Sequence, residues 1–196
     1  MGSNTPTDAE SPKLGRPRST TLDVAIATAT IELLEEHGYA GLSLAAVAER
    51  AGTTTASIYR RFSSKSDMVI TAVFRTDGDD VVSDTGDLAD DVRTMVRWAL
   101  EKYASPTGRA ALAGLLSEPL DATTRAHAVG EVWHRMGDRL RRSIDSGDID
   151  PTMDVGTLIV MLTGPAMAAA TVHGPAAASD EWVERIASTL LDGIRA

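Results

Sequence analysis

Thr54, Thr55, Ser57, Tyr59, Arg60 and Lys65 bring hydroxyls, a phenol and two cations into one short stretch of chain. Such a set is suited to a polyanion. Short hydroxyls reach base edges and phosphate oxygens, and a phenol donates one hydrogen bond to a phosphate. A lysine at the first turn of a helix can join the free amides there in holding another. Ser43 and Ala56 complete the candidate contacts, and the chemistry they suggest is the reading of a DNA groove.

Those side chains need two helices and a tight turn to hold them. The stretch SLAAVAERAGTTTASIYRRFSSKSDM, from Ser43 to Met68, supplies all three. Ser43 caps a helix whose apolar residues Leu44, Val47, Ala48 and Ala51 fall at i, i+3, i+4 and i+7. Gly52 ends it, Thr53 turns the chain, and Thr54 caps a second helix near Thr55. Ile58 and Phe62 lie one turn apart and pack inward, which leaves Thr55, Ser57, Tyr59 and Arg60 on or near an outer surface. Ser64 and Asp67 then stand in capping-box spacing, with Lys65 opening the next helix.

A helical hairpin around a glycine is common in all-α proteins. Here the caps, the tyrosine-aromatic pair and the trailing lysine coincide, and DNA binding is the reading that uses them all. The motif AGTTTASIYRRFSSKSDM resembles that of the TetR family of transcriptional regulators, strongly from Thr21 to about Phe74 and beyond that in length and helical layout. Two residues depart from the family pattern. Thr53 replaces the usual apolar residue after the turn glycine and keeps a β-branched shape. Arg61 replaces the usual histidine and adds a charge that either touches phosphate or sits in water.

The composition sets further bounds. The chain of 196 residues is 43% hydrophobic but has only eight aromatic side chains, so its core depends on Ala, Leu, Val, Ile and Met. Without cysteine it has no disulfide and no thiolate metal site. No apolar run is expected to reach membrane length, and no signal-peptide core is read at the N-terminus. These features lead us to expect a cytoplasmic protein with no membrane partner.

The net charge of −9 looks wrong for a DNA binder until the chain is divided after Arg75. Residues 1–75 hold eight basic and eight acidic side chains, and residues 76–196 hold eleven and twenty. A neutral reading domain carrying an acidic body fits end-on docking.

The organisation follows. Residues 1–18 form a polar arm, expected to be disordered, whose Lys13, Arg16 and Arg18 either follow the minor groove or form a solvated terminus. Residues 19–76 form the DNA-binding domain, with its helix-turn-helix at 43–62, and residues 77–196 a second helical domain. The spacing predicts helices over about Thr21–His37, ended by Gly38, and Lys65–Thr76. Others follow over Leu88–Ala104, Pro106–Leu116, Ala122–Ser146, Met153–His173 and Asp180–Ile194. The fold is therefore expected to be all-α, with about nine helices.

In the last two helices, Leu158, Leu162, Ala166 and Ala169 share space with Trp182, Ile186 and Leu190. Periodicity alone allows an intramolecular core. The TetR resemblance implies a homodimer instead, built by this pair as a four-helix interface. Pro165, lacking an N–H, is expected to bend the first helix or interrupt its ladder.

The resemblance also implies a pocket for an unidentified small-molecule effector. Bulky candidates are Met95, Trp98, Tyr103, Leu112, Trp133 and Met136, with His127, His134 and Arg93 as polar ones. His127, His134 and Asp138 also leave open a metal-sensing regulator, and a ligand-independent DNA-binding or scaffold module is a third reading. An enzyme is the weakest of these: no nucleophile elbow, phosphate loop, HExxH or Cys/His ligand set occurs, and nothing calls for a cofactor. The expectation is a transcriptional regulator on double-stranded operator DNA, acting as a repressor.

Overall fold

A computed structural model describes residues 20–74, 84–117 and 130–194. Among these residues there are nine α-helices, one 3₁₀ turn and no β-strand. The helices are α1 (Thr20–Gly41), α2 (Leu44–Arg50), α3 (Thr55–Tyr59), α4 (Lys65–Val73), α5 (Leu88–Ala104), α6 (Pro106–Ser117), α7 (Glu131–Ser146), α8 (Val155–His173) and α9 (Asp180–Ile194).

Local chemistry sets most of these bounds. Gly38, at φ 64°, breaks α1 where the stop was expected, and one further short turn follows it. Asp87 caps α5 by accepting from the amides of Ala89 and Asp90 at 2.7 and 3.2 Å, and Asp154 caps α8 from Thr157 at 2.8 Å. α4 is shorter than expected and is capped at Phe74. The front of the long helix predicted from Ala122 lies outside the described residues, and the described part begins at Glu131.

Two hydrophobic cores form. Ile26, Leu33, Leu34, Val47, Ile58, Met68 and Val69 close α1 to α4 around one of them. The other gathers Val92, Met95, Val96, Leu100, Met136, Leu140, Leu158, Leu162, Ile186 and Leu190 from α5, α7, α8 and α9. α6 belongs to both: Ala111 lies in the first core and Leu112 in the second. It packs on α1 and α4 as well as α5, so the two domains share a continuous contact.

α8 corrects one expectation. Val155 to Ala177 is long and apolar enough to cross a membrane by length and composition, its most apolar 18-residue window having a mean hydropathy of 1.7, and it holds no Asp, Glu, Lys or Arg. Alanine, glycine and threonine interleaved with larger residues raise its hydropathy without making a continuous bulky run. One face of the helix is core: Leu158, Ile159, Leu162, Ala166, Ala169 and Ala170 are buried. The opposite face leaves Val160, Met161, Met167 and Val172 exposed. The helix runs through Pro165, which has no N–H, so the Met161 carbonyl on that outer face lacks its helical donor.

Candidate nucleic-acid interface

The helix-turn-helix is held by a chain of side-chain caps. Ser43 accepts from the Ala46 amide at 3.1 Å and starts α2. The turn passes through Gly52, whose φ of 63° a side chain would oppose. Thr54 then accepts from the Ser57 amide at 3.2 Å and starts α3. With Ile58 fully buried as its anchor, α3 turns Thr54, Ala56, Tyr59 and Arg60 outward and keeps Thr55 and Ser57 half-buried. Tyr59 is 60% exposed, which is costly for an aromatic ring unless a partner covers it.

The hydroxyls on this surface are already organised. Thr54 Oγ1 donates to Ser57 Oγ at 3.1 Å, and Arg60 Nη2 donates to the same oxygen at 2.8 Å. Binding a base or phosphate here exchanges these bonds for others. Lys65 starts α4 behind a Ser64 cap, with the Asp67 amide donating to Ser64 Oγ at 3.0 Å. The Asp67 carboxylate is fully buried and accepts from the Ser63 amide and hydroxyl at 2.7 and 3.0 Å. This capping pattern locks the turn that presents Lys65, whose Nζ lies 4.2 Å from the centroid of the Tyr39 ring.

Arg61 takes neither of its expected roles. Its Nε donates to Asp23 Oδ1 at 2.7 Å and its Nη1 to the Ser57 carbonyl at 3.1 Å, tying α3 to α1. Arg50 was missed by sequence reasoning. It makes two hydrogen bonds to the Glu36 carboxylate, at 2.6 and 2.9 Å, and lies 3.8 Å from Glu32. The bound guanidinium holds the Glu36 carboxyl below the usual carboxylate range, and part of the acidic end of α1 is neutralised. Lys13, Arg16 and Arg18 lie outside the described residues.

The bulky effector candidates all lie in or against the second core. Met95, Met136, Leu112 and Tyr103 are core, Trp98 and Trp133 pack half-buried at its edge, and His134 is exposed on α7. Tyr103 lies tilted by 54° against Phe74 with ring centroids 5.3 Å apart, and burial pushes its phenol up to about 12. Arg93 is engaged by Glu184 at 2.8 Å, and Asp138 by Arg141 at 2.7 Å. His127 lies outside the described residues. Among those described, no three His, Asp or Glu side chains come together to hold a metal.

The dimer candidates lie on α8 and α9. Leu158, Leu162, Ala166, Ala169, Ile186 and Leu190 are buried within the protomer and Trp182 is half-buried. They pack α8 against its own chain. An apolar groove of about 510 Å³ opens beside them, lined by Met161, Pro165, Arg185, Ile186, Thr189 and Leu190.

A capped helix-turn-helix with an outward-facing second helix, joined through α4 and α6 to an all-helical body, defines a two-domain DNA-binding protein. The family follows from comparison. Residues 26–72 match the family model described as bacterial regulatory proteins, tetR family, and residues 82–190 match the tetracyclin repressor-like C-terminal domain. The chain belongs to the TetR family of DNA-binding transcriptional regulators. It is 25% identical over 189 residues to the uncharacterized HTH-type transcriptional regulator YdeS of Bacillus subtilis, covering 94% of this chain and 95% of that one. Over 88 residues it is 40% identical to the uncharacterized regulator Rv1556 of Mycobacterium tuberculosis, covering 44% and 40%. Among solved structures, the TetR family regulator SCO0332 aligns with a TM-score of 0.68 at 24% identity, over 89% of this chain and 99% of that one. TylP from Streptomyces fradiae aligns with a TM-score of 0.59 at 24% identity, over 89% and 80%.

Proposed function

We propose that the chain acts as a homodimeric repressor that leaves its operator when a small molecule binds the C-terminal domain. The observation that carries this reading is the double attachment of α4. At its start stands Lys65, the candidate phosphate contact. At its end the Val73 carbonyl accepts from Lys102 of α5 at 3.3 Å, and Phe74 lies on Tyr103. A helix fixed at one end to DNA and at the other to the sensing domain transmits a shift between them. Two copies reading successive major grooves must hold their recognition helices about 34 Å apart, and a tilt of α4 changes that spacing.

In each copy, Thr55 and Ser57 choose sequence, with Ala56 beside them. Ser43, Thr54, Tyr59, Arg60 and Lys65 position the backbone, and Arg16 and Arg18 extend the contact from the arm. The dimer forms through the exposed face of α8, where Val160, Met161, Met167 and Val172 are uncovered, together with the groove against α9.

The test is thermodynamic. A thermal-shift screen finds a ligand, and its affinity is then measured with and without operator DNA. A hundredfold loss of DNA affinity corresponds to about 2.7 kcal/mol of coupling, and linkage requires DNA to weaken ligand binding by the same factor. Equal ligand affinities with and without DNA, for a ligand seated in the C-terminal domain, rule out induction by that ligand.

A further inference from the structure

Lys65 does not stand alone at the start of α4. Its ammonium lies 4.2 Å from the centroid of the Tyr39 ring, and Tyr39 belongs to the short turn after the Gly38 break in α1. The same ring is pressed from the other domain. A methyl group built on Gly114 of α6 would lie 2.3 Å from Tyr39 Cδ2 and Cε2 and 2.6 Å from Cγ, so only a glycine leaves the ring where it is.

We propose that Tyr39 is a positioning residue for DNA binding, holding the Lys65 cation against its π face, and that α6 controls this positioning through Gly114. The idea rests on Lys65 as a phosphate contact and adds a second path from the C-terminal domain to the DNA surface, one that runs through the Tyr39 ring to the start of α4. An ammonium over an aromatic face keeps its charge while losing freedom to wander. The ammonium carries three N–H donors, so contact with one ring face leaves it able to donate to a phosphate. Displacing α6 moves the ring, and the ring carries the lysine.

The test uses the full-length protein and a random-sequence 30-base-pair duplex, because phosphate contacts do not depend on sequence. The dependence of affinity on salt reports how many phosphates are neutralised. Lys65→Ala is expected to lower the salt slope by about 1. If it does not, the phosphate reading of Lys65 fails, whatever Tyr39 does. If it does, Tyr39→Phe should bind like the wild type, and Tyr39→Leu should lose affinity and part of the slope. Gly114→Ala should weaken binding in the wild-type background but not in Lys65→Ala. A Tyr39→Leu protein with an unchanged salt slope overturns the proposal, and so does a Gly114→Ala defect of equal size with and without Lys65. Should Gly114→Ala fail to fold, the Tyr39 pair still decides, since phenylalanine keeps the π face that leucine lacks.

Discussion

At the scale of single residues, Arg61 shows how one charge can be misread. A cation beside a recognition helix suggests phosphate, yet this one is 15% exposed and paired with Asp23. Removing a half-buried charged donor costs about 1.5–3 kcal/mol. Arg61→Ala is therefore expected to lower the urea midpoint while leaving the salt slope of DNA binding intact. A fall of about 1 in that slope at unchanged stability would return Arg61 to the phosphates. Thr55→Ala, in contrast, should alter preference among operator variants without changing affinity for random duplex. The caps at Ser43, Thr54 and Ser64 were legible in sequence because each donor lies three residues from its acceptor. The Arg61 pair spans 38 residues and the Arg50 pair 14. No local periodicity specifies contacts of that reach.

At the scale of elements, charge pairs decide how helices are held together. The link between α1 and α2 is on the surface and titrates. Because Arg50 depresses the Glu36 pKa, this pair adds stability above the unfolded carboxylate value of about 4.5 and loses it as the pH falls through the lower folded value. The stability gap between the wild type and Arg50→Gln should thus close on going from about pH 6 to about pH 3, and salt should narrow it at neutral pH. A gap independent of pH would mean that Arg50 acts through packing alone.

The link between α5 and α7 is of another kind. Asp91 and Arg139 are 1% and 5% exposed and hydrogen-bonded to each other. Thr85 donates to the same carboxylate at 2.9 Å through its hydroxyl, and Arg139 also lies 3.3 Å from Asp84. Asp91→Ala leaves the buried guanidinium with only Ser143 and the exposed Asp84 carboxylate as partners and should lower stability in chemical denaturation by up to about 3 kcal/mol. An effect under about 1 kcal/mol would mean that water reaches the cation. Helix order was readable from the spacing of apolar residues, whereas this pairing required knowing that α5 and α7 face each other.

At the scale of the whole molecule, α8 carries a buried apolar face and an exposed one. Its sequence is apolar on nearly every side, so periodicity could not separate the inner face from the outer one. The stripe chosen from spacing proved to be the inner face. That distinction gives the dimer a discriminating test. Ala169 is buried in the protomer, and Ala169→Arg should unfold the chain itself by forcing an unpaired charge into the core. Its neighbour Ala168 is exposed and lies about two turns from Met161 on the outer face. Ala168→Arg should leave helicity and a cooperative melt intact but put two like charges into a symmetric contact, where each copy meets the same residue or its near neighbour. Sedimentation is then expected to give a folded monomer. Affinity for a two-half-site operator should collapse towards that for a single half-site, because the second recognition helix is no longer delivered at high effective concentration. A folded Ala168→Arg protein that still sediments as a dimer would move the interface off α8. A wild type that is monomeric at micromolar concentration would remove the four-helix arrangement altogether.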